Sequence, residues 1–236
     1  MDHPSRPDLH HRTHPIPHLI PGPLPPEEWQ LGTLQVLWVA VRCDATVAAM
    51  SPAVPYRPLA MEATNLADLY QLPLLDWASI EDKLRSGVTQ APGTGGPNRH
   101  TCWLSTINAD GSPHVNGVGA LWADGCFWFE TGQGSRKGRN LARDPRCAVS
   151  LATEEFDLVV EGEASLVTDP ATVADLAARW AAGGWPARVD DTGVALTAEF
   201  SAPSAGPPPW HVYRLTPKTA TALATVEPGG ATRWRF

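Results

Sequence analysis

Two Asp-Gly pairs, each set between runs of apolar residues, constrain this chain most. Asp110-Gly111 separates the run His100 to Asn108 from the run Pro113 to Trp122, and Asp124-Gly125 joins the latter to Cys126 to Thr131. Asp-Gly readily takes the backbone angles of a tight hairpin, so three antiparallel strands in succession are predicted. Two more follow at Cys147 to Thr153 and Asp157 to Val167. In the second, Leu158, Val160, Gly162, Ala164 and Leu166 alternate with Val159, Glu161, Glu163 and Ser165, the period of a strand with one buried face. Trp210 to Leu215 and Thr219 to Thr225 complete the strand set. Short strands at regular spacing with few helices predict a mainly β (α+β) chain closed into a barrel, not a doubly wound sheet.

Helices are expected in three places. Asp76 to Leu84 sets Trp77, Ile80 and Leu84 on one face, and acidic and apolar residues already keep helical spacing from Glu62 onward. Pro170 suits a first helical position, with Val173, Leu176, Ala177 and Trp180 as the apolar stripe to about Ala182. The third is short, from Ser135 as N-cap to the stop at Asp144-Pro145.

That third helix carries cations where a helix alone disfavours them. Arg136 and Lys137 occupy its first turn, against the positive end of the dipole. Residues 135–146 hold five cations (Arg136, Lys137, Arg139, Arg143, Arg146) and one acid, in a chain whose net charge is -7. A bound phosphate reverses the sign of the dipole argument, because free first-turn N–H groups, a Ser hydroxyl and two cations together suit an anion. The charges alone equally allow a solvated helix. A pI near 5.6 argues against nucleic acid, whose binders spread basic residues over a whole face. The Gly/Pro-dense stretch Gln90 to Pro97 reads as a loop, and its position lets it fold over a ligand.

Residues 1–60 differ from the rest. The opening is rich in Pro and His without apolar periodicity, and Leu31 to Val41 is too short for a membrane span and lacks a basic region ahead of it. They read as a largely disordered extension that need not belong to the native protein, ahead of one domain over 61–236. Cys43, Cys102, Cys126 and Cys147 show no C-x-x-C spacing, so neither a zinc site nor a disulfide framework is expected, and a cytoplasmic setting follows.

Taken in order, Asn108-Ala109-Asp110-Gly111-Ser112-Pro113-His114-Val115, then Thr131 to Arg146, then Asp157-Leu158-Val159-Val160-Glu161-Gly162-Glu163-Ala164 resemble the pyridoxamine 5'-phosphate oxidase-like family, the FMN-binding split β-barrel. More narrowly they are similar to its branch of flavin- and deazaflavin-dependent oxidoreductases typical of actinobacteria. The resemblance implies a homodimer with the cofactor between subunits. It implies that Thr131, Ser135, Arg136 and Lys137 hold the cofactor phosphate, that Asn140 adds a hydrogen bond or orients Arg136, and that the flavin ring lies along Val115, Asn116, Gly117, Val118 and Gly119. Glycines there let a backbone approach a flat ring, although a bulge or barrel bend explains them as well.

The pyridoxamine phosphate oxidases carry an Arg and a Lys on that strand, where this chain has Asn116 and Leu121. The implied activity is therefore hydride transfer from reduced coenzyme F420 to a small conjugated acceptor, with FMN as the alternative cofactor and a carrier without turnover as a third reading. Arg139 and Arg143 would suit the polyanionic tail of F420. Such chemistry resides in the cofactor, which fits the absence of hydrolase and metalloprotease motifs. His114 and His211 are the candidate proton donors, and Trp122, Trp210 and Trp234 the candidate walls for a ring-shaped substrate. Trp103, Trp122 and Trp128 also read as core. Arg233-Trp234-Arg235 reads as a chain end that either reaches the partner's groove or frays.

Overall fold

The computed structural model describes residues 61–87, 101–201 and 205–236. Expectations for residues 1–60 and for the loop at 90–97 fall outside the described residues. Among the described residues ten strands and three α-helices follow one another: β1 (Glu62–Asn65), α1 (Trp77–Ser86), β2 (Thr101–Ile107), β3 (Pro113–Ala123), β4 (Cys126–Thr131), α2 (Arg136–Arg143), β5 (Arg146–Ala152), β6 (Phe156–Leu166), α3 (Pro170–Ala182), β7 (Arg188–Val189), β8 (Leu196–Thr197), β9 (His211–Ala224) and β10 (Ala231–Arg235).

The fold is mainly β, with six antiparallel strands closing on themselves in the order β9-β4-β3-β2-β5-β6 and back to β9. The β3–β4 hairpin turns on Asp124 and Gly125, both at positive φ (53° and 70°), the geometry that matches the strands' twist. Closure depends on the length of β9. One edge of it pairs with β6 from Tyr213 to Ala224, while the other serves β4 over His211–Leu215 and then β10 over Thr219–Leu223. Pro217, which has no N–H to donate, sits in the interval between those two partners. The two separate strands expected around Pro217 are thus one: the proline falls where one edge of β9 changes partner and opposite the irregularity in its pairing with β6.

Opposite Pro217 the β6 register shifts between Glu161 and Gly162. A Cβ on Gly162 would lie 2.0 Å from the Thr216 carbonyl oxygen, so only glycine allows this approach. Glu161 and Gly162 face Thr219 and Pro217, so the extra residue is Lys218 and the bulge bends β9 around the barrel.

Inward residues of all six strands fill the barrel, among them Leu104, Phe127, Phe129, Val149, Leu158, Val160 and Leu215, each essentially inaccessible to water. Burying a side chain of this size is worth about 1.5–3 kcal/mol. Helix α1 closes one end: the Asp76 carboxylate accepts from Ala78 N and Ser79 N as its N-cap, and Trp77, Ile80 and Leu84 face the core. A second apolar cluster lies outside the barrel wall, where Val173, Leu176, Ala177 and Trp180 of α3 pack against Trp128 and Val212. Asp169 and Pro170 begin α3 as N-cap and first residue.

Three expectations change. Glu62–Asn65 is a strand, not helix, because it pairs with β10 from Glu62↔Arg235 to Asn65↔Thr232. The C-terminal segment is neither frayed nor a substrate wall: Trp234 is buried, with its ring 5.2 Å from that of Trp77. Trp122 and Trp210 are likewise buried, whereas Trp103, read as core, is 45% exposed on the outer face of β2. Cys102 and Cys147 are buried free thiols whose pKa burial pushes up to about 12, so both stay protonated at neutral pH. Among the described residues, no helix is long and apolar enough to cross a membrane.

Candidate functional site

The site is built where β4 ends. Thr131, fully buried, brings its hydroxyl 2.8 Å from that of Ser135, across a turn closed by Ser135 N donating to the Gly132 carbonyl (3.0 Å). The Ser135 hydroxyl accepts from Gly138 N (3.0 Å), capping α2. That leaves the N–H groups of Arg136 and Lys137, the first two of the helix, with no intrahelical carbonyl to bond.

The five cations of this segment divide cleanly. Arg146 pairs with the Asp144 carboxylate through two contacts (2.9 and 2.7 Å). Arg139 donates to the Gly134 carbonyl and Arg143 to the Ile107 carbonyl. Arg136 is exposed, whereas Lys137 is only 4% exposed and has no carboxylate within ion-pair distance among the described residues. Enclosing a lysine without an ion-pair partner is costly by itself. Burial accordingly holds the Lys137 pKa below its ordinary value, with the Glu130 charge pulling it partway back.

Glu130 is the residue the sequence did not reveal. It lies on β4 beside Thr131 and opposite Val212, and crowding by protein pushes its carboxyl up to about 7, with Lys137 opposing that shift. Its signal was an acid at the end of an apolar strand just ahead of a cationic turn, which also describes an ordinary strand end. His114, at the start of β3, has a depressed pKa through burial and then through Arg136 and Lys137, so the first turn of α2 lies within electrostatic reach of it. His211 pairs directly with Thr131, and its Nδ1 is buried without a hydrogen-bond partner.

Asn140 does something other than touch Arg136. It is buried, and its amide donates to Thr106 Oγ1 and Asn108 Oδ1, both at 3.1 Å, while its Oδ1 accepts from Arg143. It ties α2 to the β2–β3 hairpin and so fixes where the first turn of the helix stands.

On β3 the named residues divide by face. Val115, Gly117 and Gly119 pair with Ser105, Trp103 and Thr101, and with Trp103 and Val115 exposed they form an apolar outer ledge. A Cβ on Gly119 would meet no atom of the described residues within 4 Å, so nothing among them explains the missing side chain. Asn116 and Val118 point the other way, opposite Leu104 and Cys102. Val118 is core, and Asn116 carries a buried Oδ1 with no partner. The enclosed Lys137 and the free first-turn N–H groups are groups suited to an anion, while Asn116 Oδ1 and His211 Nδ1 are buried polar atoms without a hydrogen-bond partner.

A closed antiparallel barrel with a cationic helix start after β4 and a glycine-bearing β3 is the arrangement of the FMN-binding split β-barrel class. Comparison with known proteins narrows the class. Residues 96–224 match the family model described as pyridoxamine 5'-phosphate oxidase. The chain is similar to the pyridoxine/pyridoxamine 5'-phosphate oxidase of Paracidovorax citrulli, at 30% identity over 69% of this chain and 81% of that one. It is also similar to the protein of that name from Alkalilimnicola ehrlichii, at 33% identity over 50% of this chain and 70% of that one. Among solved structures, a pyridoxamine 5'-phosphate oxidase-related, FMN-binding protein from Nostoc punctiforme aligns with a TM-score of 0.40 and 19% identity, over 56% of this chain and 78% of that one. This chain belongs to the pyridoxamine 5'-phosphate oxidase family and is an oxidoreductase of that family.

Proposed function

We propose that the protein transfers a hydride between a flavin-type cofactor and a small conjugated acceptor, with the cofactor phosphate held at the start of α2. The observation that carries this reading is Lys137, only 4% exposed and with no ion-pair partner among the described residues, two positions after the Ser135 whose hydroxyl meets that of Thr131. A phosphate there would receive Lys137, Arg136, two backbone N–H groups and the Ser135 hydroxyl, each already positioned by the N-cap and by the Asn140 tie. The ring would lie on the ledge of Val115, Gly117 and Gly119, with Gly119 leaving the space for it. A homodimer would cover that ledge, since Trp103 and Val115 expose a contiguous apolar face.

The cofactor, when bound, supplies the redox chemistry. The chain's part is to bind, orient and keep water from the ring. His114 and His211 stand near the phosphate end, where their role is to hold the tail rather than to protonate an acceptor.

FMN is the better supported cofactor, because the family match favours a flavin and because Arg139 and Arg143, which would suit the longer anionic tail of coenzyme F420, are tied to backbone carbonyls. F420 is the second reading. It is favoured by Asn116 and Leu121, since the Arg and Lys of pyridoxamine phosphate oxidases do not stand at those places. Titration of the purified, stripped protein with FMN and with F420, followed by reduction and a panel of enones, quinones and tetrapyrroles, separates the readings. Saturable FMN binding with acceptor turnover supports the first. Binding of F420 alone supports the second, and no binding of either overturns both.

A further inference from the structure

A hollow opens at the other end of β9 from the cationic turn. β9 starts with His211 against Thr131 and finishes at Ala224, which lines a cavity of about 420 Å³. Among the described residues, neither α2 nor β3 contributes to its walls. That volume falls within the range of small-molecule sites, roughly 300–1,000 Å³. Its apolar lining includes Leu74, Ile80, Phe156 and Val226, and of these Leu74 and Val226 are left 52% and 47% exposed. Large apolar side chains left wet around a hollow mark a surface that binds something.

The polar groups select the occupant. Glu155 stands in the β5–β6 turn, fixed by its own N–H donating to Thr153 Oγ1 (3.2 Å) and by its carbonyl accepting from Thr225 N (2.9 Å). One oxygen of its carboxylate accepts from Lys83 of α1, while the other is buried without a hydrogen-bond partner. Leaving an enclosed acceptor without a donor costs free energy, which a ligand bringing the donor recovers. Charge points the same way. Asp76, Glu155 and Glu227 line the cavity with Lys83 as the cation, and Lys83 is already paired with Glu155, so an anion would face acids with no free counter-charge. We propose that this cavity binds a small apolar molecule carrying a primary amine, its chain against Leu74, Ile80, Phe156 and Val226 and its ammonium donating to the free oxygen of Glu155. The site shares no residue with the proposed cofactor site and stands or falls independently of it.

The test is calorimetric titration of the full chain with octylamine, and with octanoate as its anionic counterpart. Octylamine should bind saturably, and octanoate at least about tenfold more weakly. Glu155→Gln keeps the shape of the side chain and removes its charge, and should weaken octylamine binding about ten- to a hundredfold, the range of one charge-assisted hydrogen bond. Leu74→Arg changes an exposed position, sets a guanidinium against the cavity, and should abolish octylamine binding in a protein whose circular dichroism matches wild type. Equal affinity for the two probes, or tighter binding of octanoate, overturns the choice of an amine. Octylamine binding unchanged in both variants lies elsewhere on the protein and overturns the site. Absence of octylamine binding also overturns the proposal; if Leu74→Arg then shifts the oligomeric state in sedimentation, a second copy of this chain is what covers the cavity.

Discussion

Gly138→Ala tests whether the first turn of α2 is held where a phosphate would need it. In an exposed helix interior this change stabilises by about 0.8–1.0 kcal/mol, because alanine is the better helix former. At Gly138 the added Cβ would lie 2.5 Å from the Gly132 carbonyl oxygen and 2.8 Å from that of Gln133. Ordinary contact begins at 3.4 Å, so the helix and the 132–134 turn must separate by about 0.9 Å. Both walls are backbone, and neither can rotate away. Overpacking of this kind costs about 1–3 kcal/mol, which exceeds the propensity gain. The same displacement stretches the 3.0 Å bond from Gly138 N to Ser135 Oγ and, through Ser135, its 2.8 Å contact with Thr131. A cap of this type is worth about 1 kcal/mol. The expected outcome is a net loss of about 1–2 kcal/mol in urea unfolding and a loss of at least about tenfold in FMN or F420 affinity, read by fluorescence titration. A variant as stable as wild type with unchanged affinity would refute the close packing of α2 on its turn.

Three further outcomes follow from the geometry. Gly162→Ala places a Cβ 2.0 Å from the Thr216 carbonyl oxygen, and chemical denaturation should show destabilisation of at least about 3 kcal/mol or failure to fold. Asn140→Leu keeps the volume but leaves Thr106 Oγ1 and Asn108 Oδ1 without their donor, so about 1–3 kcal/mol of stability and some cofactor affinity should be lost together. The Glu130 carboxyl is raised from 4.5 to about 7 in the folded protein, so the folded state binds the extra proton between those values. Its stability contribution is full below about pH 4.5 and is lost as pH rises through 7. The difference in unfolding free energy between Glu130→Gln and wild type should therefore shift in favour of the variant by about 1–3 kcal/mol from pH 4.5 to 8, as measured by denaturation.

The barrel was legible where one face of a strand is wet and the other dry. β2 to β6 and α3 follow from alternation, Asp-Gly turns and a Pro at the first helical position. β9 read as two strands because a proline inside a strand usually breaks a ladder, and only the third dimension shows that Pro217 lies between two partners. β1 and β10 were missed as a pair because each is short and finds its ladder far along the chain, Glu62 against Arg235. At the candidate site, misplaced charge singles out the first turn after Ser135, with Arg136 and Lys137, as a place suited to an anion. That Lys137 is the buried cation and Arg136 the exposed one was not legible, because both stand in the same turn. The tie of Asn140 to Thr106 and Asn108 was not legible because its partners lie more than thirty residues away, and Glu130 escaped notice because an acid at a strand end looks solvated in sequence.

The central claim is that the start of α2 holds a cofactor phosphate, and titration of Arg136→Ala/Lys137→Ala with FMN and F420 at low ionic strength tests it most directly. Each lost charge-assisted contact is worth about 1.5–3 kcal/mol, so the double variant, folded by circular dichroism, should bind the wild type's cofactor at least about a hundredfold more weakly. Unchanged affinity in the double variant would contradict the claim.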